Sequence, residues 1–283
     1  MGTSVSSGGP NSQVSFDPPW LDDIEIPTKE DSPVTDGHLP VDGDSNDEDS
    51  LTSLEPSDIA PNARFGGARR ALRKFIDTGE QERFRKAVGH YSRKGMGGAR
   101  RTALRMRTSA RVGANVFRVL LDARDGTDSD LNNWVISLKA RSVNAQEIAD
   151  EIIKYTTPAG GALEEVSGRE SMALAMQDLL ILNPDFDLLN LDEDNIWGLM
   201  ESFLANEVFH RLSLDIGQVF EKSSLSMSDR VIRMNEMRDY LKSEVSRQIK
   251  KLRANSSNTT QNDIHPILQK ALENTFAVYE GAL

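Results

Sequence analysis

The sequence predicts an all-α fold preceded by a long acidic tail. From about Ala63 onward, apolar residues recur at helical spacing, and alternating β-branched runs typical of strands are nearly absent. Residues 1–62 are instead rich in Ser, Gly, Pro and Asp, and such a segment buries too little apolar surface to offset its ordering entropy. We therefore predict a disordered acidic tail over 1–62, a basic helical segment over 63–125 and an acidic helical domain over 126–283.

Charge is segregated along the chain in the same way. The 283 residues carry a formal net charge of −11. Residues 1–60 hold fourteen acidic side chains against Lys29 alone, a net of −13. Residues 61–118 hold sixteen Arg and Lys against three acidic residues, a net of +13, and residues 119–283 carry −11. The modest overall charge therefore conceals a tail and a helical segment of opposite sign.

The first helices are predicted by apolar spacing and glycine breaks. Leu72, Phe75 and Ile76 share one face of a helix over 68–77, which Gly79 ends. Phe84 marks a second helix, with Val88 and Tyr91 on the same face. Gly95-Met96-Gly97-Gly98 is the next break, which we read as a flexible turn or, alternatively, an anion-holding turn ahead of an Arg-rich helix. One long helix should then extend from Ala99 toward Ala123.

The remaining helices are expected over 129–140, 144–155, 168–182, 192–221, 226–253 and 263–280. Asp128 or Ser129 can cap the first of these, and Asn144 has Glu147 at the spacing of a capping box. Asp192 to Asp194 favour a helix N-terminus. The clearest pattern lies in 226–253, where the apolar face comprises Val231, Met234, Leu241, Val245, Ile249 and Leu252.

The sequence offers no pattern typical of an active site, and we predict no catalytic residue, no metal ligand and no cofactor of its own. Without cysteine there is no disulfide, thiolate metal site or Cys nucleophile. Lys94 precedes Gly95 where a P-loop would need the reverse order and a following Ser or Thr. The four histidines lack metal-ligand spacing: His38, His90, His210 and His265.

The basic helices suggest a surface that contacts anions or a protein partner. The residues we single out are Arg69, Arg70, Arg73, Arg100, Arg101 and Arg105. Nucleic acid, a protein partner and the acidic tail are alternative occupants of such a surface. The interleaved aromatic residues have core-facing spacing rather than that of a base-stacking platform: Phe65, Phe75, Phe84, Tyr91 and Phe117.

The N-terminus is well suited to enter another protein's cleft as an extended peptide. Gly2 is small enough to permit removal of Met1, which leaves a free α-amine. Pro18-Pro19-Trp20 pairs an aromatic ring with a stiff diproline, as a short docking element would. No signal peptide and no apolar run of about 18 residues is present, so we expect a cytoplasmic protein with no membrane contact.

These motifs, in this order, resemble the QatB family of the bacterial Qat anti-phage defence system. The resemblance is closest over residues 2–21 and 64–106 and weak after about 170. It rests on Met1-Gly2-Thr3-Ser4, Gly8-Gly9-Pro10, Pro18-Pro19-Trp20-Leu21, Ala63-Arg64-Phe65, Tyr91, Gly97-Gly98-Ala99-Arg100, Arg105-Met106 and Pro158-Ala159-Gly160-Gly161.

The resemblance implies a non-enzymatic subunit that works with an ATPase, a QueC-like enzyme and a TatD-like nuclease of the same system. QueC-like enzymes activate a carboxy-deazaguanine with ATP and join it to an amine. Gly2 would then be the modified residue and carry a covalent deazaguanine. The partner would bind the flanking tail through Thr3, Ser4, Gly8, Gly9, Pro10, Pro18, Pro19 and Trp20. A nucleic-acid-binding adaptor that uses basic helices 64–118 is the alternative.

Overall fold

The computed structural model describes residues 64–141, 143–157, 163–184, 186–254 and 263–283. Within these ranges the chain is helical and contains no strand, which confirms the all-α prediction there. The predicted disordered tail over 1–62 lies outside the described residues. The helices are α1 Gly66–Thr78, α2 Gln81–His90, α3 Ala99–Arg105, α4 Arg107–Asp125, α5 Ser129–Ala140, α6 Ala145–Thr156, α7 Leu163–Leu182, α8 Glu193–Ile216, α9 Gln218–Glu221, α10 Met227–Ala254 and α11 Ile264–Glu280, with a π-helical turn Tyr91–Met96 after α2.

Helix α8 forms the centre of the bundle. Its residues 201–209 are all buried, as expected for a helix that is apolar around much of its circumference. It packs against α4, α7 and α10, and α11 packs against α2, α3, α4 and α10. The basic helices thus share one hydrophobic core with the later helices. The boundary that we predict between residues 125 and 126 stays a prediction.

The predicted helix caps are confirmed. Asp128 accepts hydrogen bonds from the backbone N–H groups at the start of α5. Asn144 and Glu147 form the reciprocal capping box of α6, which satisfies two of the N–H groups that a helix start leaves unpaired. Asp192 caps α8 by accepting from the backbone N–H of Asn195. Gly79 ends α1 in the left-handed conformation with φ of 72°.

Two predicted long helices are interrupted in the structure, so those predictions are wrong. The 99–123 helix breaks at Met106, whose backbone N–H bonds to Ala103 O three residues back and tightens the last turn of α3. The 192–221 helix breaks at Gly217, where an added Cβ would collide with the backbone carbonyl of Ser213. Spacing does not locate the first break because no Gly or Pro marks it.

Two smaller differences concern the Gly-rich break and helix α10. The π-helical turn continues through Met96, so the chain reverses only at Gly97 and Gly98, with φ of 82° and 111°. Val231, predicted on the apolar face of α10, is 56% exposed. The buried residues of α10 begin at Met237, so its apolar face continues beyond the part that this bundle covers.

Candidate functional site

The predicted N-terminal site lies outside the described residues, so its predictions stay predictions. It comprises Gly2 as the modified residue and the partner contacts Thr3, Ser4, Gly8, Gly9, Pro10, Pro18, Pro19 and Trp20. The six arginines that we single out in the basic segment are described, and the structure separates them into two groups.

Four of the arginines are exposed to solvent, two on each of two helices. Arg70 and Arg73 lie on α1, and Arg100 and Arg101 lie on α3; all four are exposed. Among the described residues, none of the four forms an ion pair with a carboxylate. With no described carboxylate to offset them, these charges can attract an acidic partner or a phosphate, most strongly at low salt.

The other two arginines are half-buried and hold neighbouring helices. Arg69 donates from Nη2 to the backbone O of Asp215 at 3.0 Å, which ties α1 to the end of α8. Arg105 donates from Nη1 to Sδ of Met96 at 2.7 Å and lines a pocket. Helical spacing could not distinguish these two from the exposed four, because their partners lie elsewhere in the chain.

The aromatic residues of the basic segment face the core, as predicted. Phe65 and Tyr91 stack with ring centroids 5.3 Å apart and planes 11° apart. Phe75 and Phe84 contact each other at 5.4 Å, and Phe117 packs against Trp197. All these phenylalanines and Tyr91 are buried, so they present no ring face on which a base could stack.

A buried polar cluster is centred on Glu207 of α8, and the sequence prediction missed it. Glu207 is 4% exposed and accepts hydrogen bonds from the hydroxyls of Ser109 on α4 and Ser167 on α7, the latter at 2.9 Å. We call Ser109, Ser167, Glu207 and His210 the Glu207 cluster. Three of these residues, Ser109, Ser167 and Glu207, also line a shallow open pocket, whose other lining residues are Arg105, Met106, Arg211 and Leu214. An acidic residue within the apolar stretch of α8 was the one signal in the sequence that could have indicated the cluster.

The Glu207 cluster has the geometry of a structural network. Ser167 Oγ lies 3.4 Å from His210 Nδ1, and Glu170 lies 3.9 Å from the same nitrogen. A Ser–His–acid triad needs the serine and the acid on opposite ring nitrogens. The Ser167 hydroxyl also donates to Glu207, so its proton is not directed at His210. These groups satisfy one another across three helices.

A second polar group joins the start of the π-helical turn to the end of α8. The hydroxyl of Tyr91, which is fully buried, donates to Asp215 Oδ2 at 2.7 Å. Arg211 Nε lies 3.4 Å from the same oxygen. Burial, followed by the negative charge of Asp215, raises the pKa of Tyr91 well above its usual value. The phenol therefore stays protonated and works as a fixed hydrogen-bond donor.

In the described part of the chain, no group of three His, Asp or Glu side chains is placed to hold a metal ion. Of the helices described, none is both long and apolar enough to cross a membrane.

Comparison with known proteins identifies the family. The family model for the Qat anti-phage system associated protein QatB matches residues 97–279, about two thirds of the chain. The match confirms the resemblance but lies mainly in a region where the short motifs are weak, since they are densest over 2–21 and 64–106. No curated protein and no solved structure matches the chain. The chain belongs to the QatB family of Qat anti-phage system associated proteins.

Proposed function

We propose that this protein is a non-enzymatic subunit of a Qat anti-phage complex, and that a QueC-like partner enzyme binds its N-terminal tail and modifies Gly2 with a deazaguanine. Membership of the QatB family is the observation that carries the proposal. The complex would assemble in the cytoplasm with the ATPase of the system, and the TatD-like nuclease would be a further partner.

The chemistry suits an N-terminal glycine. After loss of Met1, the α-amine of Gly2 has an ordinary pKa of about 8, so much of it is neutral and nucleophilic near neutral pH, unlike a lysine amine near 10.4. The partner first joins the deazaguanine carboxylate to AMP from ATP and releases pyrophosphate. The amine then attacks the activated carbonyl, an amide C–N bond forms, AMP leaves with the bonding electrons, and the amine loses a proton.

The described helical unit would serve as the part that docks on other subunits. In the Glu207 cluster, the hydroxyls of Ser109 and Ser167 both donate to the buried Glu207, which supports a structural role for the cluster. The exposed arginines on α1 and α3 offer a surface for an acidic partner: Arg70, Arg73, Arg100 and Arg101.

Mass spectrometry of the protein co-expressed with its neighbouring genes tests the modification. We expect intact mass and N-terminal peptides to show loss of Met1 and an acyl group on Gly2. Gly2→Glu should prevent both, because a large second residue blocks Met1 removal. Ser7→Glu, which adds the same charge in the same tail, should remain modified. An unmodified Gly2 in the complete system, or phage protection that survives Gly2→Glu, would contradict the proposal.

A nucleic-acid-binding adaptor is the second candidate, and it is favoured by the exposed arginines that have no ion pair with a described carboxylate. Phosphate contacts are strongest at low salt, so a gel shift at about 50 mM salt is the sensitive test. Failure to bind there eliminates this candidate.

A scaffold with an inert tail is the third candidate. If it is correct, deletion of residues 2–21 would leave both complex formation and phage protection intact.

A further inference from the structure

His90, the last residue of α2, lies where α1, α2 and the π-helical turn meet. Its ring packs against Gly67 of α1: a Cβ added to Gly67 would lie 3.4 Å from His90 Cγ. A glycine at this position therefore allows α1 to approach the imidazole closely. Arg70 follows Gly67 by one helical turn and extends from the same helix.

Three cations lie about one helical turn from His90 or from the Gly67 that its ring contacts. Lys86 precedes His90 by four residues in α2, and Lys94 follows it by four in the π-helical turn, so each is about one turn away. Arg70 adds a third charge from α1. Burial lowers the pKa of His90 below 6.5, and the charges of Lys94, Arg70 and Lys86 lower it further. The imidazole is therefore mostly neutral at pH 7.

Little negative charge compensates these cations. Glu82 lies 3.7 Å from Lys86, and both side chains are well exposed, so water screens this pair strongly. Arg70 and Lys94 are exposed and form no ion pair with any described carboxylate. Within the described part of the chain, three positive charges are therefore offset by only one exposed carboxylate, which leaves a net positive charge at the junction.

The two nitrogens of His90 have different surroundings. Nδ1 is buried and has no hydrogen-bond partner among the described residues. Nε2 likewise has no hydrogen-bond partner among the described residues, but it is not one of the buried unpaired atoms, so it borders solvent. Burial of an N–H without an acceptor is costly, so we assign the proton of the neutral ring to Nε2. The imidazole thus directs a donor toward solvent.

We propose that Arg70, Lys86, His90 and Lys94 bind a phosphate group. The guanidinium supplies a fork for two oxygens, each ammonium supplies a point charge, and the imidazole supplies one further donor. A carboxylate offers two oxygens and a single negative charge, whereas a phosphate dianion offers more oxygens and a second charge, so phosphate matches three cations better. Free phosphate, a mononucleotide and a polynucleotide all carry this group. The site is independent of Gly2 and of its modification.

NMR of the full chain tests the site through the titration of His90. At constant ionic strength, replacement of chloride by inorganic phosphate should raise the pKa of His90, because the bound anion offsets the nearby cations and favours the imidazolium. His90→Gln assigns the signal, and His265 serves as the reference imidazole. Lys94→Gln should weaken phosphate binding about tenfold, the effect of losing one charge-assisted hydrogen bond, and Arg70→Gln should weaken it at least as much because the fork is lost.

Arg73→Gln is the matched control. It removes an equally exposed arginine of α1 that is not among the charges acting on His90, so phosphate should bind this variant as it binds the wild type. Circular dichroism verifies that each variant is folded. Parallel titrations with AMP and with a short single-stranded oligonucleotide identify the source of the phosphate. The proposal is overturned if none of the three ligands moves the pKa of His90, or if Arg73→Gln weakens the response as much as Arg70→Gln.

Discussion

Ser109 on α4 donates a hydrogen bond to Glu207 on α8, a residue 98 positions later in the chain. Both side chains are buried, at 7% and 4% exposure. A buried carboxylate needs hydrogen-bond donors to replace the water that it has lost, and Ser167 on α7 supplies the second one. The contact therefore joins the basic segment to the centre of the bundle, and its loss would leave the buried Glu207 carboxylate with one hydrogen-bond donor fewer.

We predict that Ser109→Ala lowers the free energy of unfolding by about 1.5–3 kcal/mol, the range for a hydrogen bond to a charged group. Urea denaturation measures the change. Glu170→Gln is the control: its side chain is 65% exposed and lies 3.9 Å from His210, so it should change stability by less than about 0.5 kcal/mol. Equal effects of the two substitutions would show that Glu207 does not depend on Ser109.

A second prediction compares two helical glycines. A Cβ at Gly89 of α2 would collide with the backbone carbonyl of Tyr279 on α11, whereas one at Gly198 of α8 would meet nothing within 4 Å. Gly89→Ala should therefore destabilise the protein by about 1–3 kcal/mol, because two helix backbones must separate. Gly198→Ala should stabilise it by about 0.5–1 kcal/mol through helix propensity. Thermal denaturation of both variants should show shifts of opposite sign.

The caps and the apolar periodicity allowed most of the fold to be predicted from the sequence. Asn144 with Glu147 and the glycine at Gly79 are local signals whose physical effect needs no distant partner. The break at Met106 depends on how α3 and α4 pack against α11, and its residues are ordinary helix formers. The order of short motifs was sufficient to indicate the family even though its model matches mainly further along the chain.

The candidate sites were less accessible to sequence reasoning. Arg69 and Arg70 are neighbours with the same charge, yet Arg69 is bonded to Asp215 on α8 and Arg70 is exposed. The partner that distinguishes them is 146 residues from Arg69 in the chain, a separation that periodicity cannot bridge. Glu207 was missed for the same reason, because its serine donors come from two other helices.

A third prediction concerns the end of α1. Arg233 of α10 donates from Nε to the backbone O of Ile76 at 3.2 Å and pairs with Glu236 at 2.7 Å. A cation at a helix C-terminus satisfies a free carbonyl and interacts favourably with the helix dipole. We expect Arg233→Ala to cost about 1–2 kcal/mol of stability in urea denaturation.

Arg247 provides the matched control for that substitution. It forms an ion pair with Glu244 at the same 2.7 Å and the same helical spacing on α10, but its side chain is 62% exposed. Arg247→Ala should therefore cost no more than about 0.5 kcal/mol. If the two alanine variants lose equal stability, the contact between Arg233 and α1 contributes nothing measurable.

The last prediction concerns alkaline pH. Burial, followed by the charge of Asp215, raises the pKa of Tyr91, and burial, followed by the charge of Glu244, raises that of Tyr279. Above pH of about 10 the unfolded chain loses these phenolic protons while the folded chain keeps them. The unfolded state then binds fewer protons, so stability is complete below pH 10 and decreases as the pH rises toward the folded-state values.

Each of these two phenols should contribute a decrease of up to about 1.4 kcal/mol per pH unit above pH 10. Urea denaturation at several pH values between 9 and 11.5 measures the slope. Tyr279→Phe should reduce the slope by one such contribution, because phenylalanine has no phenolic proton to release. The substitution removes only a long hydrogen bond, of 3.3 Å, from the Tyr279 hydroxyl to the backbone O of Tyr240. Tyr155→Phe, at a side chain that is 49% exposed, should keep the wild-type slope. An unchanged slope in Tyr279→Phe would mean that the phenol ionises in the folded protein as readily as in the unfolded chain, so its burial would have no effect on ionisation.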